Sequence, residues 1–230
     1  RFSPSATSCR PGMGTSAARA IIRRWGKMTD TQLVLHMDVI KCFDSISHTT
    51  LMNRLDAWIQ CPYTRELLRR IIGSFSSSHG IPLGNLTSQL FCNIIFMDVD
   101  RALDATVGVG GWVRYADDIF VRANNRRSIT KVVELVVSKL AFDDLACRIR
   151  LEPYHGFEAL GSRWFLGGFE NIARHTRARA LRLASRCSRM YSQGFYSQNR
   201  LRSTFSSLRG LAVYDRRWTK RVGEAILEAI

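Results

Sequence analysis

Residues 111–123 read "GWVRYADDIFVRA", with two adjacent acids, Asp117 and Asp118, set between runs of strand-forming residues. Val113 and Tyr115 before them and Ile119, Phe120 and Val121 after them predict a hairpin with its turn at Ala116–Asp118. Aspartate is a good turn residue in its own right. A third acid, Asp38, closes the apolar run "LVLHM", where a strand leaves a core. A partly buried carboxylate is costly unless it is paired or binds a cation. A strand end beside a hairpin can gather three carboxylates, and like charges that close repel. Hard divalent cations such as Mg²⁺ relieve the repulsion, taking a few carboxylate oxygens together with substrate phosphates. Two such ions roughly 3.5–4 Å apart can hold the attacking and leaving oxygens of an in-line phosphoryl transfer.

That chemistry needs a polyanionic substrate, and the composition suits one. The 230 residues carry 34 Lys and Arg against 19 Asp and Glu, a net charge of +15. Such an excess favours nucleic acid as partner, although a merely basic, ribosomal-type protein has the same balance. No apolar run reaches the roughly 18 residues of a membrane span and no signal peptide is visible, so a soluble cytoplasmic chain without membrane contact is expected. The six cysteines are scattered without zinc spacing and read as reduced and mostly buried. Arg1 and the Ser-rich stretch after it suggest a chain that starts inside a domain.

The elements that must position the acids follow from periodicity. "TSAARAIIRRW" has helical spacing, and "QLVLHMDVI" resembles a strand covered on both faces. Ser47 can cap a helix through "TTLMNRLDAWI", and "TRELLRRIIGSF" predicts another. A Gly/Pro loop, "HGIPLGN", leads into a long helix from about Leu86 to Leu103. After the hairpin come a helix through "ITKVVELVVSKLAF", strands near "CRIRL" and "RWFLGG", and a basic helical tail from about Ala173. The sum is an α+β palm-like core with a helical C-terminal part.

"YADD" at 115–118, "DVIKCFDSI" at 38–46, "GIPLGNLTSQLFCN" at 80–93 and "FLGG" at 165–168 resemble, in order and spacing, the motifs of reverse transcriptases. "CRPGMGTSAA" is similar to the segment just before the palm in bacterial members. Intron and retron enzymes usually carry a Q-G-x-x-x-S-P signature. Here Leu83 precedes Gly84 and Gln89 follows Ser88, a form that resembles the reverse transcriptases of diversity-generating retroelements. The resemblance implies a right-hand polymerase fold: partial fingers over 1–30, a palm over 31–170 with fingers helices inserted at about 47–80, and a basic helical thumb over 171–230. It implies an RNA-directed DNA polymerase that copies template-repeat RNA into cDNA mutated at adenines. Its partners would be an RNA template, a DNA primer, dNTPs and an oligomeric accessory protein.

Residue roles follow from the same resemblance. Asp38, Asp117 and Asp118 would be catalytic and, with the Val39 carbonyl, would hold two Mg²⁺ ions, Mn²⁺ being an alternative. Phe43 would pack under the sugar of the incoming nucleotide and exclude a 2′-hydroxyl. Leu83, Gly84, Ser88 and Gln89 would line the nucleotide and templating base, together with the upstream Arg10, and Leu83 offers no hydrogen bond where faithful relatives have Gln. Tyr115, Phe165, Leu166 and Gly167 would meet the primer, and Arg174, Arg177 and Arg182 the template–primer backbone, with Arg216, Arg217, Lys220 and Arg221 a second basic cluster. His36, His48 and His79 are expected to be structural.

Departures from the family pattern stand beside these. The fingers segment with the triphosphate-gripping Lys and Arg would lie upstream of Arg1, and Tyr154 and His155 stand where a Lys is usual. An intron, retron or defence-type reverse transcriptase, or a truncated nucleic-acid-binding relative without turnover, is the alternative.

Overall fold

The computed structural model describes residues 2–31, 33–74, 78–108, 110–210, 215, 218 and 220. The chain divides into two compact units, Arg1–Tyr154 and His155–Ile230. In chain order the first unit holds α1 (Thr15–Gly26), β1 (Leu33–Val39), α2 (Cys42–Ser45), α3 (His48–Asp56), α4 (Pro62–Gly73), α5 (Leu86–Ile95), α6 (Met97–Thr106), β2 (Trp112–Tyr115), β3 (Asp118–Ala123), α7 (Arg126–Phe142) and β4 (Cys147–Pro153).

The four strands form an antiparallel sheet in the order β2-β3-β1-β4. Alternation along β1 turns Leu35, Met37 and Val39 to one face, where Ile119, Val121 and Trp112 join them. Buried side chains of α3 to α7, among them Leu51, Phe91, Leu103 and Val132, complete that core. The opposite alternation places His36 and Asp38 on the other face, where both are only half-buried. Val34, Phe120 and Val113 are buried on that face too, so the strand is covered on both sides as its apolar run suggests, except at His36 and Asp38, where the second face opens. α1 packs against β2.

The helix expected over Leu86–Leu103 is two helices that meet at Phe96. The break has a partner: Arg54 on α3 donates from Nη1 to the carbonyls of Ile94 and Ile95, at 3.2 and 2.7 Å, and from Nη2 to both carboxylate oxygens of Asp143. Helix-end carbonyls are tolerated in a core only when satisfied in this way. Ser47 does cap α3, its hydroxyl accepting from the Thr50 N–H.

The second unit holds β5 (Glu158–Ala159), β6 (Ser162–Phe165), a 3₁₀ turn (Leu166–Gly168), β7 (Phe169–Ile172), α8 (Arg174–Ser192) and α9 (Gln198–Gly210). Its strands pair in sequence order. Ala180, Ala184 and Cys187, spaced by four and three residues, face Leu201, Phe205, Leu208 and Trp218. Gly167 has φ +83, and a Cβ there would stand 2.7 Å from the Phe169 ring, so the turn after β6 requires glycine. Among the described residues no helix is long and apolar enough to cross a membrane. Cys9, Cys42, Cys61, Cys92, Cys147 and Cys187 are all free thiols.

Candidate active site

Strand register brings the acids together. Asp38 lies directly opposite Asp118 in the β1–β3 pair, and directly opposed residues share a face at about 4.5–5.5 Å. Tyr115 pairs with Asp118, which leaves Ala116 and Asp117 as a two-residue hairpin loop, and the Val39 N–H reaches the Asp117 carbonyl at 3.4 Å. Ala116 has φ +56, a left-handed conformation that costs a non-glycine residue about 1–2 kcal/mol. Two contacts hold it there. Its N–H donates to Ser8 Oγ at 2.8 Å, and its carbonyl accepts from Arg114 Nη1 at 2.9 Å.

Arg114 is the brace beneath the hairpin. It is wholly buried, forms a two-pronged pair with Asp100 at 2.8 and 2.7 Å, donates to Asn93 Oδ1 and stacks over the Phe96 ring. Burial pushes the Asp100 carboxyl up and the guanidinium opposes that shift. The upstream segment closes the outer edge: Arg114 donates its backbone N–H to Ser5, and the Thr7 N–H returns one to Arg114.

Negative charge gathers at the hairpin tip. Burial pushes the Asp117 carboxyl up, its own backbone hydrogen bond opposes this, and the charges of Asp118 and Asp38 push it further against Arg114. Hard oxygen donors carrying surplus negative charge fit a divalent ion of the Mg²⁺ type. Among the described residues no three His, Cys, Asp or Glu side chains close into a finished cage. Mg²⁺ sites ordinarily complete themselves with water and substrate phosphate. Asp118 already spends one oxygen, since His36 Nε2 meets its Oδ1 at 2.6 Å. An ionised carboxylate only accepts, so the imidazole donates. The His36 ring also stacks on Phe120, its cross-strand partner, with centroids 4.4 Å apart.

Other predicted residues fall as follows. Phe43, on α2, packs against the core. Leu83 is 68% exposed in the loop before α5, and Gly84 follows it with open space around its Cα. Ser88 is buried, its hydroxyl donating to the Pro82 carbonyl at 2.7 Å, and so ties that loop to α5; Gln89 beside it is half-buried. Arg10 donates from Nη1 to the Ser3 and Ala6 carbonyls and lies over Phe2, which occupies it within the upstream segment. Tyr115 accepts at its hydroxyl from Thr15 at 3.0 Å. Tyr154 is buried and donates its hydroxyl to Ile22.

In the second unit, Phe165, Leu166 and Gly167 end β6 and form the turn after it, and the His155 ring stands edge-on to Phe165. Arg174, Arg179, Arg182, Arg186 and Arg189 are exposed along α8. Arg177 is half-buried and pairs with buried Asp215 at 3.2 Å. Lys220 is exposed, and Arg216, Arg217 and Arg221 lie outside the described residues.

The sequence reading gave His36 a structural place without its bond to Asp118, and missed the Arg114–Asp100 pair. His36 was findable by alternation, two residues before Asp38 on the same face. Arg114 carried a weaker signal, an arginine inside an apolar strand.

Comparison with known proteins agrees with this geometry. The family described as "Reverse transcriptase (RNA-dependent DNA polymerase)" matches residues 1–152. The COX1/OXI3 intron 2 protein of Saccharomyces cerevisiae is 29% identical over 112 residues, 45% of this chain and 13% of its own length. Among solved structures, apo telomerase from Candida tropicalis superposes with a TM-score of 0.55 at 11% identity, covering 94% of this chain and 49% of that one. Telomerase from Candida albicans, solved with a fragment of telomeric RNA, gives 0.54 at 10% identity over 98% and 48%. The chain thus spans about half the length of these telomerases, which share its polymerase fold. With two thirds of its residues under the family's profile and the acids paired across its central strands, the chain belongs to the reverse transcriptase family.

Proposed function

We propose that this chain carries the partial fingers, palm and thumb of an RNA-directed DNA polymerase, extending a DNA primer with dNTPs along an RNA template. The observation that carries the proposal is the opposition of Asp38 and Asp118 on neighbouring strands, with Asp117 at the adjoining tip, its carboxyl pushed up by burial first and then by both neighbours. Two Mg²⁺ ions held by these three carboxylates and the Val39 carbonyl would supply charge neutralisation at the attacking and leaving oxygens. The chain's own groups do the rest. Arg114 and Ser8 fix the hairpin tip, and His36 fixes one oxygen of Asp118. Phe43, packed against the core, would select against ribose, and the exposed arginines of α8 suit a duplex backbone. In this proposal residues 1–30 belong to the fingers, 31–170 to the palm and 171–230 to the thumb.

Within the family, we infer the diversity-generating type, working with an oligomeric accessory protein. Leu83 supports this: an exposed apolar side chain at the lip of the nucleotide loop cannot hydrogen-bond a base or template, which loosens base selection. Similarity to an intron protein favours the second reading, an intron-type enzyme. RNA-templated primer extension with Mg²⁺, set beside Asp117→Asn and followed by product sequencing, separates them. Extension lost in the variant with errors concentrated opposite adenine supports the diversity-generating type. Accurate extension supports the intron type, and template binding without extension by the unaltered chain rejects the polymerase.

A further inference from the structure

The sheet register places a basic edge beside the acidic one. Reading across the four strands on the Asp38 face, one row runs Tyr115, Asp118, Asp38, Arg148. The next runs Val113, Phe120, His36, Arg150. Arg148 and Arg150 are both exposed, on β4 at the end of the sheet order, with Ile149 between them turned to the other face. Opposite charges directly across a strand pair ordinarily meet. Asp38 and Arg148 face each other in this way, yet Arg148 makes no ion pair, nor does Arg150, among the described residues. At the other end of the row, Tyr115 is tied to α1 through Thr15.

We propose that Arg148 and Arg150 seat the β- and γ-phosphates of the incoming nucleotide. This rests on the polymerase reading above. Nucleotidyl transfer at the Asp38–Asp118 pair forms a bond from the primer 3′-oxygen to the α-phosphorus and breaks the bond to the β-phosphate oxygen, in line. Primer and leaving pyrophosphate therefore lie on opposite sides of the acids. The row has one basic end, so the pyrophosphate lies over β4 and the primer terminus on the Tyr115 side. The two guanidiniums act as paired donors to phosphate oxygens. Sequence alone hides this, since only the β1–β4 register brings Arg148 beside Asp38.

The other source of phosphate for the same arginines is the template–primer backbone, and the test has an arm for each. Binding of a non-hydrolysable α,β-imido dNTP to the chain with Mg²⁺ and template–primer is measured by calorimetry for the unaltered chain, Arg148→Gln, Arg148→Gln/Arg150→Gln and Arg148→Lys. Template–primer affinity is measured alongside by fluorescence anisotropy over a salt series. The expected result is that the double variant weakens nucleotide binding at least tenfold and pyrophosphate inhibition in proportion, with template–primer affinity within twofold and Arg148→Lys in between. Unchanged nucleotide binding overturns the proposal, as does a loss that falls instead on the template–primer with a shallower salt slope. Binding is read without turnover, so a chain that binds nucleotide through these arginines but never extends a primer sinks the polymerase reading and leaves the phosphate seat standing. Melting curves show that the variants fold.

Discussion

Asp118 and Asp117 sit one bond apart in sequence and differ in what restrains them. Asp118 has one oxygen held by His36, whose ring is fixed in turn by Phe120. Groups that orient a metal-binding carboxylate typically contribute 10–100-fold in metal affinity or activity. His36→Phe keeps the ring stack but removes the donor. It should raise the Mn²⁺ dissociation constant, read by electron paramagnetic resonance, by about tenfold or more, while His36→Gln, which keeps a donor, stays within about threefold. Equal loss in both would reduce His36 to a packing role. Asp117 carries the opposite burden, a carboxyl pushed up by burial and by its neighbours. A folded-state value above the unfolded one means the native chain binds the extra proton. Stability without divalent cation therefore falls as pH rises from about 3.9 through the raised value. Asp117→Asn should flatten that fall and raise the thermal midpoint at neutral pH. The gain should be of the order of 1–2 °C, because the half-exposed group is screened by solvent. A midpoint that drops in the variant would contradict the sign.

The β2–β3 hairpin depends on an ion pair buried beneath it, Arg114 with Asp100, on which the tip carbonyl of Ala116 also rests. Removing one partner leaves a buried charge alone and costs about 3–5 kcal/mol, whereas replacing both by apolar groups restores much of the loss. Urea unfolding should show that order for Arg114→Met against Arg114→Met/Asp100→Leu, and extension should stay low in both because the tip loses its brace. Full activity in the double variant would show that the brace is dispensable. Much of this region was legible in sequence. The hairpin, β1 and the cap at Ser47 follow from alternation and local side-chain chemistry, which neighbours along the chain decide. What was not legible depends on tertiary partners. The helix over Leu86–Leu103 breaks at Phe96 where Arg54 satisfies the freed carbonyls, Arg114 finds Asp100 fourteen residues away, and Arg148 comes opposite Asp38 only through strand register.

Across the chain as a whole, charge is distributed by task. Acids gather at one sheet face, while α8 exposes Arg174, Arg179, Arg182, Arg186 and Arg189 with Ala180, Ala184 and Cys187 on its buried side. Each phosphate contact contributes a slope of about −0.9 in log affinity against log salt on a duplex. Arg174→Gln/Arg182→Gln should shallow the template–primer slope by about 2 without moving the melting midpoint. Arg177→Gln should leave the slope and lower the midpoint, because Arg177 is engaged with buried Asp215. Reversed outcomes would exchange their roles. The claim on which everything else depends is that the Asp38–Asp118 pair performs RNA-templated nucleotide addition. Single-turnover incorporation of one dNTP into a primer on RNA, with Mg²⁺, compares the unaltered chain with Asp38→Asn under conditions where both bind template–primer equally. A loss of about 10³-fold or more is predicted. A rate within about threefold of the unaltered chain would contradict it, and would move the chemistry away from these carboxylates.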